Sequence, residues 1–352
     1  MYILFPFPPP QAHGKAIQSC FGFRGYAYTA GDSRVNVWDM RKFEGTAAAT
    51  CARDTTELTR ILEIDAYLYT ASSNGAVRQW SLPFNPEKVE FRGQMWLHNK
   101  SINDMCHWRF GSESKLFTAC DDRECRVWDL TTNRCVHVIE PVDRMQGTLR
   151  SVACSDHMLF IGSSNGKIYV FLTEQKCRRQ DRHECTVKGP VPYCPQCELR
   201  YGEENPEMPG EFKPIVISAM EVGGFHHRDE VLFVGGEDGN IWIYAIPPED
   251  TPVAMEPLVK LNNVHSARIT DIKFSWAHVI TGASDGVVKI FSSHAVNWGE
   301  SGELALEKKL QLEGRVKCIS IADEDDIEDH CAYVHIGTNR GRLYTLRLGG
   351  YL

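Results

Sequence analysis

Residues 118–129 read TACDDRECRVWD: a small-residue step, two acids, and an alternating run that ends on tryptophan and aspartate. The same layout recurs as TAGDSRVNVWD (29–39), TASSNGAVRQWS (70–81), IGSSNGKIYVFL (161–172), VGGEDGNIWIYA (234–245), TGASDGVVKIFS (281–292) and IGTNRGRLYTLR (336–347). In six of the seven an acid or amide stands six positions before a large apolar residue: Asp32 before Trp38, Asn74 before Trp80, Asp122 before Trp128, Asn165 before Phe171, Asp238 before Tyr244 and Asp285 before Phe291. In the seventh, Arg340 holds that place before Leu346. Asp, Asn and Gly tolerate the positive φ of a tight turn. The alternation that follows puts the terminal large side chain on a buried face. Each unit therefore reads as a β-hairpin. An apolar segment precedes each one: AIQSC, LTRIL, INDMC, LRSVA, VISAM, ITDIKF and VKCIS. That makes three strands per unit, with a fourth expected in the more variable connection.

These residues resemble the WD-repeat family of β-propellers over nearly the whole chain. Trp38-Asp39 and Trp128-Asp129 match the family's dipeptide, and His13, His98 and His265 stand four residues before a first strand, as its Gly-His histidine does. The other five units lack the dipeptide, and no unit spells the family's full Asp-His-Ser-Trp set. The resemblance implies an all-β fold, a seven-bladed propeller spanning 1–352, in which ring closure removes open sheet edges. The last unit ends in LYTLRLGGYL, just after its third strand, so YILFPF near the N-terminus is expected to close the seventh blade as its outer strand.

Composition narrows the function classes. The 352 residues are 43% hydrophobic, ample for a packed core, and the net charge of -8 argues against wholesale wrapping of nucleic acid or anionic membrane. No run approaches the roughly 18 apolar residues of a membrane span. The opening MYILFPFPPPQ has no basic flank and breaks into prolines, so no secretion signal is read. Thirteen cysteines, several within strand-like runs (Cys20, Cys106, Cys154, Cys318), fit reduced thiols of the cytoplasm or nucleus better than a disulfide framework.

One interval is long. Phe171 and Tyr244 lie 73 residues apart, roughly 30 more than a repeat of this kind requires. The excess is read as an insertion over 173–213, between the third strand of the fourth unit and the first strand of the fifth. It contains CRRQDRHECTVKGPVPYCPQC (177–197). A long loop of low apolar content needs a staple to offset its ordering entropy. Cys194 and Cys197 have the two-residue gap that lets two thiolates grip one tetrahedral zinc, with Cys177 and Cys185 as the remaining ligands and His183 as the alternative to Cys185. Four protein ligands leave no open position for substrate, so the zinc is read as structural. Deaminase, covalent haem and dithiol oxidoreductase patterns each fail on a residue: His183 and Glu184 are adjacent, Glu198 follows Cys197, and no βαβ context surrounds the pair. Cys177 and Cys194 can share an ion only if the fourth blade's outer strand lies after them, near Glu198 to Gly202, so the knuckle is expected on the face where third strands end.

Other candidates are weaker. Trp38-Asp39-Met40-Arg41 resembles the WDxR box of propellers that serve as substrate receptors of cullin-RING ubiquitin ligases, in which the arginine meets the ligase adaptor. Arg178, Arg179 and Arg182, with Lys176 and Lys188, flank the cysteines and offer a grip for an acidic protein or RNA phosphate. The run ADEDDIEDH (322–330) reads as a solvated loop, and His226-His227 has no third ligand in view. The turn acids and amides are read as structural. The expectation is a non-catalytic interaction scaffold within a multi-subunit complex, with protein partners, no membrane and no small-molecule substrate. A ligase receptor and an RNA-binding scaffold are the alternatives.

Overall fold

The computed structural model describes residues 3–6, 13–40, 49–139, 147–173, 195–204, 212–225, 229–248, 255–275, 278–292, 304–323 and 332–348. Each of the seven turns joins two antiparallel strands. Five turns place a glycine in the left-handed region (Gly75, Gly166, Gly239, Gly286, Gly341; φ 69° to 85°), while Asp32 and Arg123 take it up in the first and third units. The acid or amide side chain then accepts a hydrogen bond from the backbone two residues on, as Asn74 Oδ1 does from Ala76 N (3.2 Å) and Asp285 Oδ1 from Val287 N (2.9 Å). Glycine is needed for a second reason at all five of these turns, most tightly at three. A Cβ on Gly75, Gly239 or Gly341 would lie 2.4, 2.2 or 2.4 Å from the carbonyl oxygen of His98, His265 or His13 respectively, in the connection draped over it.

Among the described residues the strands form seven four-stranded antiparallel sheets and one two-stranded ribbon. The inner strands are Ile17–Phe23, Leu58–Ile64, Ile102–Phe110, Leu149–Cys154, Ile217–Phe225, Ile269–Ser275 and Val316–Asp323, one for each apolar segment read above. Outer strands of the first six blades are Ala49–Arg53, Phe91–Trp96, Arg134–Ile139, Pro195–Arg200, Pro257–Leu261 and Ala305–Gln311. In the seventh sheet Ile3–Pro6 runs antiparallel beside Leu343–Leu348, with Ile3 opposite Arg347 and Pro6 opposite Tyr344.

The core is divided among the blade interfaces, because each sheet is apolar on both faces. Seven buried clusters result, one per interface. The largest, between blades 4 and 5, includes Phe160, Val170, Tyr201, Leu232 and Tyr244. Between blades 7 and 1 the cluster is Ile17, Cys20, Ala27, Trp38, Met40, Cys318 and Leu343, a smaller set with two thiols in it. The terminal residues Trp38, Trp128, Phe171, Tyr244, Phe291 and Leu346 are all buried. Each such side chain contributes roughly 1.5–3 kcal/mol by leaving water.

The region read as an insertion needs correcting in its described part. The outer strand of blade 4 begins at Pro195, three residues earlier than expected, and pairs with Lys167–Leu172 from Phe171 opposite Pro195 to Lys167 opposite Arg200. A ribbon of Gly202–Glu204 and Phe212–Pro214 follows. Tyr201 between them is fully buried, with its hydroxyl 3.0 Å from Asp238 Oδ1 and 2.9 Å from Asn240 O. This half of the segment is held by the expected outer strand, shifted by three residues, and by a ribbon and an aromatic anchor that a reading of low apolar content did not foresee.

Candidate functional site

The inner strands surround a channel, and all seven carry the same irregularity. The register to the second strand shifts between Ile17/Ser19, Leu58/Arg60, Ile102/Asp104, Leu149/Ser151, Ile217/Ala219, Ile269/Asp271 and Val316/Cys318. A bulge of this kind leaves one extra residue unpaired and re-aims its side chain. The seven extra residues are Gln18, Thr59, Asn103, Arg150, Ser218, Thr270 and Lys317, and all of them line one cavity of about 300 Å³ at the channel mouth. Arg60, Arg268, Glu57, Ser73, Ser101 and Ser284 complete its wall. The mouth is thus built of hydroxyls, amides and cations. Glu57 accepts from Gln18 Nε2 (2.9 Å), and Asp121 accepts from Asn103 Nδ2 (2.8 Å).

At the bulges or just below them, one residue in most inner strands reaches the next blade. Ser19 bonds the Ile61 backbone, Arg60 Nε donates to Asp104 (3.0 Å), Asp104 accepts from Val152 N (3.0 Å), Ser218 donates to Ile269 O (2.6 Å), and Asp271 accepts from Ile319 N (2.7 Å). At the last joint Cys318 Sγ lies 3.4 Å from Cys20 Sγ. Deeper still, Lys273 pairs with Glu221 at 2.8 Å. Burial opposes the charge on Arg60 and Lys273, but their carboxylate neighbours outweigh it and hold both above their ordinary range. Burial raises the carboxyls of Asp104 and Glu221 despite those cations. The chamber here, about 440 Å³, also meets Cys106 and Cys154. Burial pushes the Cys106 thiol up, so it is a poor nucleophile.

The histidines four residues before inner strands are structural. His98 Nδ1 donates to Asp122 (2.7 Å), its Nε2 accepts from Thr118 Oγ1 (2.8 Å), and Trp128 Nε1 donates to the same hydroxyl (3.0 Å). Blade 3 therefore carries a complete acid-histidine-hydroxyl-tryptophan chain, with threonine where the family pattern has serine. That substitution is why it was not legible. The Asp122 carboxyl, although burial pushes it up, is drawn down to about 2 by His98. In blade 6 His265 joins Asp285 (3.3 Å) to Thr281 (2.8 Å), and the chain stops there because Phe291 has no N–H. In blade 1 Thr29 Oγ1 meets both His13 Nε2 and Trp38 Nε1 at 2.9 Å, and Asp32 accepts from Gly14 N. His98, Cys120 and Asp122 have ligand-type atoms within 4.8 Å of one another. Both imidazole nitrogens are engaged and burial keeps the Cys120 thiol protonated, so the trio is a hydrogen-bond chain rather than a metal centre.

Of the residues singled out in the sequence, Cys177, His183, Cys185, Cys194, Arg41, Arg178, Arg179, Arg182, Lys176, Lys188, His226 and His227 lie outside the described residues, as do 324–330. Cys197 lies within them. It sits opposite Val170 and packs, half-buried, on the core between blades 4 and 5, as do Leu172, Ile215 and Val222, and burial raises its thiol. Sequence reasoning missed the seven bulge residues. Their one signal is positional: each follows the first apolar residue of an inner strand.

A ring of seven four-stranded antiparallel blades around a polar channel defines a seven-bladed β-propeller, a fold commonly used to bind other proteins. The family model described as "WD domain, G-beta repeat" matches residues 91–129, from the outer strand of blade 2 through the third strand of blade 3. The chain is 22% identical over 295 residues to an F-box/WD-40 repeat-containing protein of Arabidopsis thaliana, covering 78% of this chain and 45% of that protein. It is 24% identical over 144 residues to the target of rapamycin complex subunit wat1 of Schizosaccharomyces pombe, covering 40% of this chain and 44% of that protein. The chain thus spans under half the length of the curated relatives it matches. Among the described residues no helix is long and apolar enough to cross a membrane.

Proposed function

We propose that this chain is a non-catalytic scaffold subunit that holds other proteins in a larger assembly. The observation that carries the reading is the channel mouth, where seven equivalent bulges on rigid inner strands present varied polar side chains from every blade. A platform of this kind offers many weak contacts on one preformed face, at little ordering cost. One relative is named as a subunit of a complex, which fits. Affinity purification at low salt is expected to recover stoichiometric partners by mass spectrometry. A chain that emerges alone at physiological concentration sinks the reading.

A second reading, substrate receptor of a ubiquitin ligase, draws on the F-box/WD-40 relative and on geometry. Trp38 and Met40 are buried in the seam between blades 7 and 1, and Met40 N donates to Gly25 O at the end of the ring opposite the mouth. A contact through Arg41 would leave the mouth free. The same purification decides it: a ligase adaptor among the partners, lost on Arg41→Ala, is the required result.

We also infer a structural zinc on Cys177, Cys185 (or His183), Cys194 and Cys197, placed beside the end where third strands finish. Supporting the placement, the chain leaves the third strand of blade 4 at Leu172 and resumes at Pro195, which is paired with the adjacent Phe171. The half-buried setting of Cys197 makes it the ligand to test hardest. Elemental analysis should give about one zinc per chain, falling to none in Cys197→Ser and in Cys194→Ser; metal-free wild-type protein excludes the site. Finally, we infer that Ile3–Pro6 closes the ring by completing blade 7.

A further inference from the structure

The geometry points to a phosphate-binding site at the channel mouth, made by Arg150 of blade 4, Arg268 before blade 6 and Lys317 of blade 7, and suited to a phosphomonoester or polyphosphate. It deepens the scaffold reading by naming the chemistry this face would hold. Four cations line one cavity of about 300 Å³, and three of them, from three blades, are not held by a close carboxylate; the space has room for a phosphate and part of what carries it rather than for a folded domain.

None of the three is saturated. Arg150 reaches Asp121 only at 3.7 Å and Arg268 reaches Glu237 only at 3.6 Å, well beyond the 2.7–2.9 Å of a charge-assisted hydrogen bond. Lys317 has no ion pair with a described residue. By contrast, Arg60 below them is held at 3.0 Å by Asp104. Two buried polar atoms in the same wall, Arg150 Nε and Thr59 Oγ1, have no hydrogen-bond partner among the described residues, an arrangement that normally has a ligand or water to satisfy it. The cations also crowd one another. Burial lowers both Arg268 and Lys317, and added to it are the charges of Arg150 on Arg268 and of Arg268 on Lys317. An anion between them relieves that repulsion. Glu57 is the carboxylate of the same wall; it accepts from Gln18 Nε2, and its charge favours the Lys317 ammonium without outweighing burial and the neighbouring arginines.

A carboxylate offers two coplanar oxygens and one charge, enough for a single guanidinium. A phosphomonoester carries about -1.5 to -2 and three acceptor oxygens, matching cations that approach from three directions. The phosphate can belong to a modified side chain of a protein partner or to a free polyphosphate, and the two sources separate by experiment.

The test is calorimetric titration of the full chain with sodium tripolyphosphate, and with an acidic peptide bearing phosphoserine or plain serine. One site is expected, weakened by salt. Arg150→Ala, Arg268→Ala and Lys317→Ala should each weaken binding roughly tenfold or more. Arg24→Ala, whose guanidinium stacks on Phe23 and Phe84 away from the mouth, should leave it unchanged. Tight binding of the phosphopeptide over its plain form assigns the phosphate to a protein partner. Binding of tripolyphosphate alone assigns it to a free anion. Absence of saturable binding by either, equal weakening by Arg24→Ala, or tighter binding of a phosphodiester oligonucleotide overturns the site. Should Arg268→Ala fail to fold, Lys317→Ala carries the test, since its ammonium holds no ion pair with a described residue. The scaffold reading is judged separately, by partner recovery with wild-type chain.

Discussion

Deletion of residues 1–8 is expected to lower the melting temperature of the entire ring by on the order of 10 °C. The deleted segment contributes a ladder of four residue pairs, from Ile3 opposite Arg347 to Pro6 opposite Tyr344, and each hydrogen bond lost from such a ladder costs roughly 0.5–1.5 kcal/mol. Loss of the ladder also leaves Leu343–Leu348 as a bare edge. Leu343 belongs to the seam between blades 7 and 1, whose buried cluster is smaller than that between blades 4 and 5. The seam's other joints include the His13 carbonyl over Gly341, the Cys20–Cys318 contact and Cys20 Sγ donating to His335 O (3.5 Å). Taken together the loss is about 3–5 kcal/mol, and in a closed ring every blade depends on both neighbours, so the transition should move as one. Calorimetry of the full chain and the deletion gives the answer. An unchanged melting temperature would mean that blade 7 stands without its fourth strand and that the pairing closes nothing.

Legibility from sequence followed the locality of the signal. The turns were readable because Asn-Gly and Asp-Gly encode a left-handed backbone within two residues, and the buried terminal residues followed by counting six positions onward. Inner strands were readable as apolar runs before each turn. The bulge residues were not, because Gln18, Arg150 and Lys317 share no chemistry; only the register with the second strand places them in one ring. Thr118 was passed over because hydroxyl function, not residue name, completes the chain between His98 and Trp128. The outer strand Pro195–Arg200 was placed late because outer strands are half-exposed and carry little periodic signal, and because Tyr201 anchors the segment from a single position. A pattern search aligned on the first apolar residue of each inner strand finds the mouth without coordinates.

The second large effect concerns acid. His335, fully buried in blade 7, has its pKa lowered from 6.5 to about 4 by burial, and His13, before blade 1, is likewise lowered to about 4, mainly by burial, with Asp32 opposing. His335 Nδ1 meets Thr345 Oγ1 at 3.0 Å, while its Nε2 faces Gly22 so closely that a Cβ there would approach to 2.9 Å. His13 Nδ1 is buried with no hydrogen-bond partner among the described residues. Both rings are therefore neutral in the fold, whereas in the unfolded chain they take up protons near pH 6.5. The unfolded state binds more protons between about pH 6.5 and 4, so stability is complete above that window and drains as pH falls through it. At pH 5 the cost is about 2 kcal/mol for each histidine, at about 1.4 kcal/mol per unit of pKa difference. Urea midpoints should drop steeply between pH 7.5 and 5, and His335→Leu, less stable at pH 7.5, should show about half that drop. Because His13 and His335 face the same seam that residues 1–8 are inferred to close, the two perturbations should not add. In the deleted chain, with the seam already loosened and water admitted to the rings, the acid drop should shrink. A full-size drop in the deletion variant would place the acid-sensitive step elsewhere in the ring.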